Sequence, residues 1–194
     1  ITNSNIKTGS VFEENAGIVG NNKNGILIDG TNVTAVTGLQ INRVRIEEND
    51  DVGIFIRGDY YDYDAEEIVN AEISSVGMSV KNSKIADNKV GMLISSLSDA
   101  NDGWNGSPFY YSPVKLDEVH LGEDLAVYNN EYAGALFLVQ VVDGSKSDPA
   151  LTVTDSRFNE ENTGGTDDND QGMGLTVDAY EGIYGVRISG STFH

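Results

Sequence analysis

The residues of this chain best suited to chemistry are clustered acids. The run Asp59-Tyr60-Tyr61-Asp62-Tyr63-Asp64-Ala65-Glu66-Glu67 gathers Asp59, Asp62, Asp64 and Glu66 within a few positions. Asp99 and Asp102 follow on a second segment, and Asp167, Asp168 and Asp170 on a third. Carboxylate oxygens at this density are hard ligands of the kind Ca²⁺ prefers, so calcium is the cofactor they suggest. The spacing is not that of an EF-hand loop, and solvated acidic loops are the simpler alternative. Aromatic residues interleave with the acids: Tyr60, Tyr61 and Tyr63 on one segment, Trp104, Phe109, Tyr110 and Tyr111 on another. Rings beside carboxylates suit a polysaccharide, whose C–H faces stack on them. They suit a protein interface equally, or they simply pin the segments to the molecular wall.

Signals for catalysis are weaker. Cysteine is absent, which removes thiolate nucleophiles, disulfides and Cys-ligated metals. His120 lies between Val119 and Leu121 in an alternating stretch and so points outward, while His194 is terminal. The adjacent acids Asp117 and Glu118 fall at an expected corner and do not form the opposed pair that glycoside hydrolysis uses. No residue positively argues for an enzyme, although a site assembled from several segments stays open.

Charge excludes other classes. Twelve Lys and Arg against 31 Asp and Glu give a net charge of −19 over 194 residues. Such a surface repels nucleic acid and anionic lipid. No apolar run approaches the roughly 20 residues a membrane helix needs, so neither nucleic acid nor membrane insertion is expected.

The elements that must position these side chains come from a repeat. An apolar strand, a polar corner, an Asn and a Gly-opened apolar strand recur along the chain. The copies are Ile41-Asn42-Arg43-Val44-Arg45-Ile46-Glu47-Glu48-Asn49 with Gly53-Ile54-Phe55-Ile56, then Val80-Lys81-Asn82-Ser83-Lys84-Ile85-Ala86-Asp87-Asn88 with Gly91-Met92-Leu93-Ile94. Another begins Val153-Thr154-Asp155-Ser156-Arg157-Phe158 and reaches Asn162 and Gly174-Leu175-Thr176-Val177. A looser copy runs over 114–121 to Asn129-Asn130 and Gly134-Ala135-Leu136-Phe137, and the chain closes inside a further one over 186–193. One copy cannot bury its own apolar face, so such repeats stack as a solenoid. Period-two alternation makes the units strands. Ile26 and Ile28, Ile54 and Ile56, Met92 and Ile94, and Leu175 and Val177 would form inward ladders. Arg43, Asn82-Ser83 and Asp155-Ser156 would turn the corners. Asn49, Asn88 and Asn162 would form a buried column satisfying backbone groups.

The pattern resembles the right-handed parallel β-helix repeats of the pectate-lyase-like, NosD-like superfamily. The resemblance covers nearly the whole chain and implies an all-β, single-stranded right-handed parallel β-helix, residues 1–194 as one domain. It implies little about function, since that superfamily includes lyases, hydrolases, tailspikes, adhesins and surface-layer proteins. Extra residues at 57–77, 95–113 and 139–150 predict long loop insertions on one edge, where a solenoid usually carries its function. The outward position of the Gly-opened strand is Leu27, Phe55, Leu93 and Leu136, an apolar stripe that insertions or another subunit must cover. Neither end carries an obvious cap, which predicts a fragment, a processed unit or ends covered by neighbours. The resulting expectation is a non-enzymatic extracellular or cell-surface protein (adhesin, sheath or fibre subunit) that self-associates through its ends or stripe. A polysaccharide-active enzyme or glycan-binding module of the same fold is the alternative.

Overall fold

The computed structural model describes residues 5–7, 17–30, 35–58, 60–62, 66–69, 73–96, 112–158 and 173–193. Every regular element among them is a β-strand. Residues that share a place in the repeat become partners in parallel pairing. On the first wall Ile26, Ile54, Met92, Ala135 and Leu175 pair in succession, as do Ile28, Ile56, Ile94, Phe137 and Val177. The second wall stacks Val36, Val76, Leu116, Val142 and Ile183. The third stacks Ile6, Ile41, Val80, Leu121, Val153 and Ile188 in register. The fourth, of short strands, stacks Ile18, Ile46, Ile85, Val127, Phe158 and Phe193. The chain is a parallel β-solenoid. Strands such as Ala133–Asp143 and Ser75–Lys81 bend round corners, so the first three walls merge into one 12-stranded sheet beside the six-stranded fourth wall.

The walls enclose one core. Ile41, Ile46, Ile56, Val80, Ile85, Phe137, Val153 and Phe158 all belong to it and are fully shielded from solvent. Corners need a sharp change of direction within one residue, and a left-handed backbone supplies it. Between the third and fourth walls that residue is Arg43, Asn82 or Asp155, with φ of 58°, 49° and 47°. After the fourth wall it is Glu48, Asp87 or Asn129, with φ of 55°, 56° and 52°. Ser83 and Ser156 steady the first of these corners. Ser83 Oγ accepts from the Val44 amide and donates to the Lys81 carbonyl, and Ser156 Oγ donates to the Thr154 carbonyl.

The insertions do not all leave one edge. Segments 58–74 and 96–111 both follow the first wall. The expected third insertion begins as strand instead, because Val139, Val141 and Val142 continue the pairing with 112–116 and 182–184. Its loop, 144–150, leaves at the next corner. The first insertion carries a hairpin in which Tyr60, Tyr61 and Asp62 pair with Val69, Ile68 and Glu67.

The glycine of the repeat has a steric reason. A Cβ on Gly91 would collide with the Gly134 carbonyl oxygen and stand 3.0 Å from Val127 Cγ1 and 3.1 Å from Asn130 Nδ2. Gly53, one rung lower, and Gly25, two rungs lower, meet the same three kinds of atom. The nearest of these atoms is backbone, so it cannot swing aside. We predict that Gly91→Ala costs about 1–3 kcal/mol in urea unfolding, the range for overpacking a core. Gly20, which has open space but φ of 68°, should lose only the smaller left-handed penalty of about 1 kcal/mol on replacement by Ala.

Candidate functional site

The most ordered polar feature is a column of asparagines where the fourth wall meets the first. Asn21 Nδ2 donates to Asn49 Oδ1 at 2.7 Å, Asn49 Nδ2 to Asn88 Oδ1 at 2.8 Å, and Asn88 Nδ2 to Asn130 Oδ1 at 3.0 Å. The backbone amides of Asn21, Asn49 and Asn88 donate to the same oxygens at 3.2–3.3 Å. Asn88 Nδ2 also reaches the Ala86 carbonyl at 2.8 Å, and Asn130 Nδ2 the Tyr128 carbonyl at 3.1 Å. Asn49, Asn88 and Asn130 are buried, so each hydrogen bond replaces one that water cannot offer. Asn162, expected in this column, lies outside the described residues. Asn21 and Asn130 join it instead.

Beside the column runs an open acidic cleft of about 440 Å³. Glu48, Asp50, Asp87 and Glu131 line it with Lys89 and Asn129. Asp87 is exposed at its corner, yet partial desolvation by the cleft wall holds its carboxyl above the ordinary aspartate value, with Lys84 opposing and Glu47 adding to the effect. A second acidic recess of about 290 Å³ holds Asp117, Glu118, Asp143 and Asp148. Among the described residues no group of three or more His, Cys, Asp or Glu is arranged to hold a metal ion.

The fourth wall carries an ion cluster on its outer face. Glu47 is buried, pairs with Arg45 and stands 2.6 Å from Lys84 Nζ, which lies 4.9 Å from the centre of the Tyr128 ring. Burial works against the Lys84 ammonium, but Glu47 and Tyr128 outweigh it and hold its pKa above the usual lysine value. These groups come from three rungs, and nothing in one copy of the repeat announces them.

Of the expected calcium ligands, Asp59, Asp64, Asp99, Asp102, Asp167, Asp168 and Asp170 lie outside the described residues. Asp62 sits on the hairpin opposite Glu67, and Glu66 is exposed in its turn with φ of 53°. Tyr60 and Tyr61 share that hairpin. Tyr63, Trp104, Phe109, Tyr110 and Tyr111 lie outside the described residues. His120 is exposed, as its alternation requires.

The apolar stripe is one ladder: Leu27, Phe55, Leu93 and Leu136 pair in succession and end at Thr176. Phe55, Leu93 and Leu136 are 0, 1 and 4% exposed, whereas Leu27 is 45% exposed. Val52, Val90, Ala133 and Leu138 are buried around them, with Tyr132 and Met173 packed alongside. Covering of the stripe is thus internal over most of its length.

Exposed apolar surface lies elsewhere, on the last described rung. Ile183, Val186, Ile188 and Phe193 occupy inward ladder positions yet are 46, 39, 51 and 42% exposed. Their partners one rung below, Val142, Leu151, Val153 and Phe158, are all 0% exposed. The Phe193 ring stacks on Phe158 with centroids 5.2 Å apart and planes 3° from parallel, so its other face is free of the core beneath. Tyr180 and Tyr184 add exposed rings on the same rung.

Two outcomes follow from the polar geometry. Asn88→Ala removes the acceptor of the Asn49 amide and side chain and the donor to Ala86, and should cost about 2–5 kcal/mol in urea unfolding through unpaired buried groups. Asp87 has a folded pKa above its unfolded one, so stability is greatest below the ordinary aspartate range and falls as pH rises through it. Asp87→Asn should therefore raise the urea midpoint at pH 7, with the gain shrinking as the pH is lowered through that range.

Comparison with protein-family models, with curated proteins and with solved structures finds no match for this chain.

Proposed function

We propose that this chain is a non-enzymatic structural β-solenoid, of the right-handed pectate-lyase-like, NosD-like kind, working outside the cell and associating with copies of itself through its edge rungs. The observation that carries this reading is the half-exposed set Ile183, Val186, Ile188 and Phe193, whose ladder partners on the rung directly beneath are fully sealed. Such a set is matched by an occupant with apolar residues at the same ladder positions and a parallel strand to pair with. The opposite edge offers apolar surface in part: Ile18, on the Phe193 ladder, and Ile26, on the Leu175 ladder, are half-buried, with Val19 and Leu27 exposed beside them, whereas Val36, on the Ile183 ladder, is buried.

Magnitudes limit what the apolar contact does alone. Fully burying an aliphatic or Phe side chain contributes about 1.5–3 kcal/mol. Completing four half-buried ones therefore contributes about 3–6 kcal/mol, against an association cost of about 4–15 kcal/mol. Backbone pairing along the edge strands has to supply the remainder, which is the interaction that exposed strand edges invite. A head-to-tail contact of this kind does not close on itself and gives open fibres.

Sedimentation velocity on the intact chain tests the reading, with electron micrographs of any fast fraction. Regular filaments are expected. Ile188→Asn with Phe193→Ser should weaken association tenfold or more while leaving the fold intact, because both side chains are half-exposed in the single chain. A wild-type monomer at every concentration would overturn the proposal and favour the polysaccharide reading of the Tyr60–Asp62 hairpin.

A further inference from the structure

We infer that ionic strength governs this association, an inference that rests on the reading just proposed. The contact surface and the charge occupy different parts of the molecule. Ile183, Val186, Ile188 and Phe193 make the last rung apolar, with Asp178, Glu181 and Arg187 as its exposed charges. Among the described residues 12 Lys and Arg stand against 19 Asp and Glu, and part of that excess lies at the corners. Corners place Glu48 and Asp87 on one edge, Glu118 on a second, and Glu123, Asp124 and Asp155 on a third, all exposed. Stacking repeats each corner about every 4.8 Å, so these acids gather along the sides of the solenoid, with Arg43, Asn82 and Asn129 at the same corners of other rungs.

Two copies meeting end to end bring these sides into line. The repulsion is therefore long-ranged and acts between flanks, not across the contact itself. Its reach is set by the Debye length, about 30 Å at 0.01 M salt, 8 Å at 0.15 M and 3 Å at 1 M. The six strands of the fourth wall span about 24 Å at 4.8 Å each. At 0.01 M the reach exceeds that span, so the described charges along one copy act on the other. At 1 M each copy feels little beyond the adjoining rung. Apolar burial does not weaken over the same range, so salt removes the opposing effect and leaves the attractive one.

The test is sedimentation velocity of the full chain at pH 7 from 0.01 to 1 M NaCl, with CaCl₂ at matched ionic strength as a second series. Ile188→Asn, which leaves the net charge unchanged, is run beside the wild type. The expected result is an association constant rising tenfold or more across the NaCl series, a matching response to CaCl₂, and weak association of Ile188→Asn throughout. Association that is flat or falls with NaCl overturns the inference and leaves the end-to-end reading standing. Association triggered only by CaCl₂ also overturns it, in favour of a specific cation junction. Wild type and variant associating alike, or a wild type that stays monomeric at every salt, overturns the underlying reading and the inference with it.

Discussion

The structure depends on one hydrogen bond made repeatedly between asparagine side chains. Each Oδ1 in the column accepts two N–H groups from the rung before, one backbone and one side chain, while the Nδ2 of Asn88 and Asn130 also turns to carbonyls of its own rung. Only a primary amide has both an acceptor and two donors in this geometry. Aspartate lacks the donors, and a hydroxyl lacks the reach. The interaction is directional, so every rung must present the same residue at the same height. That requirement fixes the register of all four walls, since a slip of one residue would put the inward ladders on the solvent side. It also explains the neighbouring glycine, because the next rung's Asn amide and Gly carbonyl fill the space a Cβ would need.

A second constraint follows at the corners. A rung that turns within one residue needs a left-handed backbone, and the repeat meets that need with Asn, Asp, Glu and Arg more often than with Gly. Such residues accept the conformation while keeping the surface hydrated. Because they stack, the fold converts a local backbone preference into rows of polar corners, in which exposed acids outnumber the one Arg. Acidity of the whole chain is in this sense partly an outcome of how it turns. The buried carboxylate Glu47 escapes the pattern, and the molecule surrounds it with Arg45 of its own strand and Lys84 of the next rung.

Legibility in the sequence tracks periodicity. Ile54, Ile56, Met92 and Ile94 declare their inward face because each recurs at the same place in the repeat, and Asn49 and Asn88 declare the column likewise. Arg43, Asn82 and Asp155 are legible as corners from residue type and position together. Asn21 is hidden by the irregular spacing of its neighbourhood, and Asn130 by the adjacent Asn129, which takes the left-handed corner instead. Segment 139–143 looks like an insertion by length, yet its valines carry the strand onward. The Arg45–Glu47–Lys84–Tyr128 cluster is illegible for a different reason: it exists only once rungs are laid side by side, and no single copy contains it.

A periodic stack has a consequence for where chemistry can reside. Every position on a wall repeats a type of residue chosen for its fit to the rung above and below. A catalytic or ligand-binding group must instead be unique, held by neighbours unlike those on other rungs. Much of the walls is of the first kind, aliphatic ladders, amides and exposed acids, while the Arg45–Glu47–Lys84–Tyr128 cluster is a group that does not repeat. Unlike neighbours also meet where the period breaks. In this chain the breaks after the first wall are the stretches in which Asp59 to Glu67 and Trp104 to Tyr111 concentrate acids and rings. The walls build the rod and its edge, and the aperiodic stretches are the part of the sequence free to tell one such rod from another.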